Sequence, residues 1–229
     1  MSHFDITPGN RLTVRERLVS MVLRTPEPTF GQGVHWYEQA HDSAVSLGRL
    51  LGTSTRNAAG VLACISPNMD ADDNFALASA VIDGTNTMHV TGKQQAKARA
   101  CLEVDPTEVL NPRTGPKTWA FFWNIYAPSL RDHVTIDGRF ADIIANEMRP
   151  WKASRGIDVG GPGSRYESYE FITEDAASYL RRFPQFRWMT AVQVQAICWM
   201  GAKRIEFKVP HCRGLPRKQG PHRKGQPYD

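Results

Sequence analysis

The sequence has no apolar run near the ~20 residues that a membrane-spanning helix needs, and signals for β-strands are sparse. The stretch Met1-Ser2-His3-Phe4-Asp5 has neither the basic start nor the apolar centre of a secretory signal. A cytoplasmic protein with no membrane partner is therefore expected. Cysteine is scarce: Cys64, Cys101, Cys198 and Cys212 lie far apart, with no C-x-x-C pair. That spacing excludes the common zinc and iron–sulfur patterns, so no metal and no cofactor is expected. Cys64, Cys101 and Cys198 sit in apolar helical contexts and read as buried thiols of a reducing compartment. No internal repeat is visible. The 229 residues suffice for one domain or two small lobes with a proper core.

Charge is unevenly placed. Residues 203–229 carry eight Lys and Arg against Glu206 and Asp229, a net of +6 in a chain whose total is +5. The remainder is therefore close to neutral, at −1. From about Pro210 the chain is rich in Pro, Gly, Lys and Arg and cannot bury a core. It has two readings: an arm that tethers phosphates, or a solvated terminus. The expected organisation is a helical domain over 1–209 followed by a basic flexible tail over 210–229.

The body reads as mainly α. Thr13-Val14-Arg15-Glu16 has the form of a capping box, with Leu18, Met21 and Val22 as an apolar stripe behind it. Helical spacing recurs over 36–51. Residues 57–65 form a short, almost wholly apolar helix, expected at the centre of the core. Further helices are predicted over 72–82, 93–103, 116–126, 137–148, 166–183 and 190–201. Asp105-Pro106-Thr107-Glu108 opens a short helix with a cap and a first-turn proline. The best strand candidate is 204–209. Residues 150–164 make a long Gly-rich loop, either functional or a plain connection.

The chemistry concentrates around Asn111-Pro112-Arg113-Thr114-Gly115-Pro116-Lys117-Thr118. This run lies between two short helices, so 106–126 is a helix–turn–helix hairpin. Gly115 lets a backbone approach closely. Pro116 opens the second helix without losing a hydrogen bond. Free N–H groups in the turn and at the helix start would hold a phosphate without reading sequence. Arg113, Thr114, Gly115 and Thr118 are thus candidate DNA contacts. Lys117 is either another phosphate contact or a nucleophile, which requires a neutral amine. Val134-Thr135-Ile136-Asp137 follows, and Asp137 is either an ordinary helix cap or a catalytic carboxylate.

Three segments in order resemble the helix-hairpin-helix DNA glycosylase superfamily, in particular its endonuclease-III-like branch. Gly60 to Asp70, continuing through Asn74, resembles the core helix and the loop after it. Gly115-Pro116-Lys117-Thr118 resembles the second half of the hairpin. Val134-Thr135-Ile136-Asp137 resembles the run that ends in the catalytic aspartate. The resemblance covers about residues 55–145 and implies a two-lobed helical fold. It also implies a Schiff base between Lys117 and the deoxyribose in members with lyase activity, and a role for Asp137 in departure of the base. The family hairpin usually reads Leu-Pro-Gly-Val-Gly, and Arg113 stands where its first glycine would be. Arg139 replaces the usual histidine two positions after the aspartate and is a further candidate DNA contact. Asn68 stands nearest to a common loop glutamine, and the iron–sulfur cysteines are absent.

The chain is also similar to phage-encoded proteins in which this fold modifies DNA bases, and Val192 to Trp199 is similar to phage and actinobacterial relatives. Gln195 and Trp199 share a helix face at i, i+4. They either line a base pocket with Asn68 or serve as surface and core residues. Three functions stay open. The first is a base-excision DNA glycosylase with or without β-lyase activity. The second is a transferase that adds an amine or amino acid to an activated pyrimidine in DNA. The third is a non-catalytic DNA-binding module. In each the partner is DNA, in a bacterial or phage-infected cell.

Overall fold

The computed structural model describes residues 4–65, 78, 80, 81, 90–130, 133–146 and 160–204. These residues are mainly helical and contain no β-strand. In chain order the helices are α1 (Arg11–Arg24), α2 (Thr29–Val34), α3 (Trp36–Leu51), α4 (Thr55–Ile65), α5 (Gly92–Glu103), α6 (Pro106–Val109), α7 (Pro116–Tyr126), α8 (Gly138–Ala145), α9 (Arg165–Leu180) and α10 (Ala191–Arg204). Ala78, Ala80 and Val81 are helical as well.

Local chemistry sets most boundaries. Asp105 caps α6 by accepting from Thr107 N at 2.8 Å, as the sequence predicts. Its carboxylate also takes a forked hydrogen bond from Arg56 at 2.6 and 3.0 Å. That guanidinium, with the Thr107 bonds, holds the Asp105 carboxyl well below the usual carboxylate range. Thr91 and Gln94 form a reciprocal capping box at α5, and Thr190 and Gln193 form one at α10.

Three expectations are corrected. The box expected at Thr13 does not form, because α1 already begins at Arg11. Asn10 organises that entry instead: its Oδ1 accepts from Thr7 N at 2.8 Å and its Nδ2 donates to Asp5 O at 2.9 Å. The helix expected to reach Met148 stops at Ala145, where Asn146 turns left-handed at φ 55°. Arg204, expected to open a strand, is the last residue of α10. Residues 205–209, the tail from 210, the loop over 150–159, Asn68 and Cys212 all lie outside the described residues.

Packing divides into two apolar clusters. One joins α1, α8, α9 and α10 around Leu18, Phe140, Tyr169, Ile172 and Ile197. The other joins α3, α4, α5 and α7 around Leu47, Val61, Ile65, Cys101 and Phe122. Every residue of α4 from Ala58 to Ile65 is buried, which bears out its expected central place. Cys64, Cys101 and Cys198 are buried free thiols. Truncating such a core leucine, isoleucine or methionine to alanine typically costs about 2–5 kcal/mol. Between the clusters lies a small third group: Tyr37, Val192 and Ala196, with Trp36 and Phe121 against them. The candidate site is built at that junction.

Candidate active site

Residues 133–137 are neither helix nor strand, and Asp137 at their end is extended. Side chains of α9 satisfy their backbone instead. Tyr166 Oη donates to Val134 O at 2.7 Å and accepts from Ile136 N at 3.1 Å. One helical turn later, Glu170 accepts from Val134 N at 3.3 Å. Val134 and Ile136 are buried in the first cluster. His133, Thr135 and Asp137 are not part of that cluster. Two contacts agree with this: His133 meets the Trp119 ring at 6.4 Å, and Thr135 Oγ1 accepts from Asn124 Nδ2 at 3.1 Å.

Asp137 ends this run as the cap of α8. Its Oδ1 accepts from Phe140 N at 2.7 Å. Its Oδ2 accepts from Trp199 Nε1 at 3.0 Å. The Trp199 ring, half-buried, is flanked by the Trp36 ring at 5.2 Å and by the exposed Arg139 guanidinium at 5.4 Å. The far end of α8 is closed by Arg17, whose guanidinium donates to Ile144 O. The structure therefore brings Asp137, Arg139 and Trp199 together. Trp36 joins them without having been singled out in the sequence.

Beneath the carboxylate lies a buried polar network. Tyr37 Oη donates to Gln195 Oε1 at 2.9 Å. Burial raises the Tyr37 phenol well above its ordinary range, with the charge of Asp137 adding to it, while the Thr135 and Asn124 side chains offset part of the rise. Gln195, only 4% exposed, is neither a surface residue nor an open edge of a pocket, because its carbonyl is engaged by Tyr37. The Tyr166 phenol is raised too, by burial first. Glu170 is pushed up to about 7, again mainly by burial, with Glu167 adding to it.

Lys117 is half-buried in the first turn of α7. Lys117, Phe121 and Asn124 share a face at i, i+4, i+7. Phe121 meets the Tyr37 ring at 6.1 Å, and Asn124 meets Thr135. The lysine thus stands one turn from Phe121 and two from Asn124, which contact Tyr37 and Thr135, although no ion pair joins Lys117 to Asp137 among the described residues.

The turn before it differs from expectation. Asn111 Oδ1 accepts from Arg113 N at 2.8 Å and Thr114 N at 3.2 Å. Asn111 O accepts from Gly115 N at 2.9 Å. The N–H groups expected to be free in the turn are therefore engaged internally. Those of Lys117 and Thr118 lie in the first turn of α7, where a helix offers no internal acceptor. Arg113 and Thr114 are exposed, while Gly115 and Thr118 are half-exposed. Gly160 docks on this turn, donating to Arg113 O at 2.9 Å.

Asn124 at i+7 from Lys117 was legible as a face-mate of the lysine. Nothing local marks Tyr37 or Trp36, which reach the site only through tertiary packing.

Residues 3–205 match the Family of unknown function (DUF7178). The chain belongs to that family. No curated protein and no solved structure matches it. Among the described residues no helix is long and apolar enough to cross a membrane, and no group of His, Cys, Asp and Glu gathers as a metal site.

Proposed function

We propose that this member of the family acts on DNA as a base-excision glycosylase with β-lyase activity. The reading takes the two apolar clusters as the two lobes of a helix-hairpin-helix glycosylase-like fold, with 106–126 as its hairpin. What supports it most is Asp137. A helix-capping carboxylate sits at the junction of the clusters, fixed by two donors, one of them an indole whose ring the Arg139 guanidinium flanks. Preorganised charge of this kind stabilises a cation that develops during reaction.

In the proposed reaction a base leaves the stack, since its glycosidic bond is out of reach in a duplex. The bond from C1′ to the base nitrogen breaks, and its electron pair leaves with the base. Asp137 faces the cationic sugar carbon. Water attacks in a simple glycosylase. In a lyase the neutral Lys117 amine bonds to C1′ as the base leaves and gives up a proton to solvent; the C1′–O4′ bond then breaks, O4′ takes up a proton, and the nitrogen lone pair closes a protonated imine. Loss of a C2′ proton then releases the 3′ phosphate. The first-turn N–H groups of α7 and the exposed Arg113 hold the strand by its phosphates. The phosphate-tethering tail and the base-pocket role of Asn68 belong to the same proposal.

Incubation with an abasic-site duplex and borohydride tests it. The expected result is a covalent adduct that Lys117→Ala abolishes. A wild-type protein that forms no adduct yet releases bases is a simple glycosylase. One that binds duplex DNA but does neither rejects the enzymatic reading.

A further inference from the structure

The link between α9 and α10 reads Arg181-Arg182-Phe183-Pro184-Gln185-Phe186-Arg187-Trp188. It folds into a 3-10 turn over Pro184–Phe186. From Arg181 to Arg204 the chain contains no acidic residue. Arg182, Phe183, Arg187 and Trp188 are all exposed, with Phe183 at 40% and Trp188 at 45%. Single exposed apolar side chains need no explanation. Two large rings interleaved with two guanidinium groups on one short turn are a different matter.

Both rings are held in place. Trp188 Nε1 donates to Gln185 O within the turn at 2.8 Å. Its indole meets the Phe30 ring edge-on at 6.5 Å, and Phe30 rests on Phe186 at 6.4 Å. Phe183 meets the Tyr179 ring edge-on at 5.8 Å, and the Arg182 guanidinium lies 5.4 Å from that same ring. Arg181 is used internally, donating to Met189 O at 3.0 Å and to Glu174 at 2.5 Å. Glu174 is thereby neutralised, and Asp175, the nearest acid along α9, pairs with Arg11 at 3.2 Å. The charge that remains outward comes from Arg182 and Arg187.

We propose that this turn is a separate contact for single-stranded nucleic acid, with Trp188 and Phe183 as stacking surfaces and Arg182 and Arg187 on the phosphates. Rings of this kind stack on any base, and a basic track beside them follows the backbone. Rings already fixed by their neighbours lose little freedom when a base arrives. The absence of any acid over 24 residues favours a polyanion over a protein partner. Ala191, which opens α10 three residues after Trp188, stands about 12 Å along the helix axis from Trp199, eight residues on. The proposal requires neither Lys117 nor Asp137, so it stands apart from the glycosylase reading.

The test uses the full chain and a fluorescein-labelled single-stranded DNA of about 20 nucleotides, long enough for such a site, and follows anisotropy. Trp188→Ala should weaken binding about ten-fold, the loss expected for one stacked base. Arg182→Gln with Arg187→Gln should flatten the salt dependence by about 0.7 in log–log slope per phosphate contact removed. Both variants should keep the wild-type melting temperature. If Trp188→Ala melts early, the arginine pair, which is exposed, decides alone. Unchanged single-strand binding in the arginine variant overturns the proposal. So does a change confined to self-association in sedimentation, which would make the turn a protein interface. Failure of the wild type to bind single strands also overturns it, whereas the borohydride adduct on an abasic duplex would be unaffected.

Discussion

Trp199 donates its indole N–H to Asp137 Oδ2 at 3.0 Å, while Oδ1 of the same carboxylate accepts from Phe140 N at 2.7 Å. One side chain thus starts a helix with one oxygen and joins that helix to α10 with the other. Trp199→Phe keeps the ring beside Trp36 and removes only the donor. Denaturant unfolding should show a loss of about 1.5–3 kcal/mol, the usual worth of a hydrogen bond to a charged group. Asp137→Asn tests the charge. Asparagine caps as well as aspartate, but its Nδ2 cannot accept from Trp199 Nε1, so stability should fall by about 1–3 kcal/mol, as in Trp199→Phe. Turnover on an established substrate should fall by two orders of magnitude or more, as when a preorganised charge is removed. Full turnover in Asp137→Asn would end the catalytic reading of that residue.

Tyr37→Phe removes the donor to Gln195 and leaves a buried carbonyl unsatisfied. The expected cost is about 1–3 kcal/mol. Adding Gln195→Leu should recover part of it, because an apolar pair leaves nothing unpaired. A double-mutant cycle should then show coupling of about 0.5–3 kcal/mol. Strict additivity would mean that the two side chains do not depend on each other.

Glu170 gives a pH dependence. Its folded value of about 7 lies above the ordinary value of 4.5. Between those values the folded protein binds more protons than the unfolded chain, so stability falls as pH rises. The contribution is complete below about 4.5 and lost above about 7. Glu167 on the same helix reinforces the shift. Glu170→Gln keeps an acceptor for Val134 N and removes the titration. At pH 8 the variant should melt about 2–4 °C higher than wild type, the change that about 1 kcal/mol gives in a domain of this size. At pH 4.5 the two should melt together. Parallel melting curves at both pH values would contradict the assignment.

Gly160 tests the contact between its loop and the hairpin turn. A Cβ there would sit 2.3 Å from Pro112 O and 3.0 Å from Pro116 Cβ. Neither is a flexible side-chain end, so the loop must move away. Gly160→Ala should cost about 1–3 kcal/mol, the range for forced overpacking. Hydrogen exchange at Gly115 N should quicken. Unaltered exchange would show that the turn holds its shape without the loop.

The hairpin was legible because its signals are local. Asp105-Pro106 caps one helix and Gly115-Pro116 opens the next, and both act through immediate neighbours. Asp137 as a cap was legible for the same reason. Thr13 misled because Asn10, three residues earlier, stabilises an earlier start by bonds back to Asp5 and Thr7. Gln195 could not be placed, since its position depends on Tyr37, 158 residues away. The turn over 181–188 was not legible, since the helix expected over 166–183 runs through its start, whereas α9 ends at Leu180. Its importance depends on exposure, which no sequence pattern states.

The order of the chain within the two clusters has a consequence for synthesis. The cluster around Val61 and Phe122 uses residues from Ala44 to Ile125. The other needs Val14 and Leu18 from the first described helix together with Val194 and Ile197 from the last. A chain emerging from the ribosome can close the inner cluster while its opening helix still waits for a partner. Trp199 arrives with that final helix, so the carboxylate of Asp137 acquires its second donor only when nearly everything else is in place. Truncated or stalled chains would carry the lysine and the aspartate without the contacts that hold the carboxylate, and would lack the candidate site until α10 is complete.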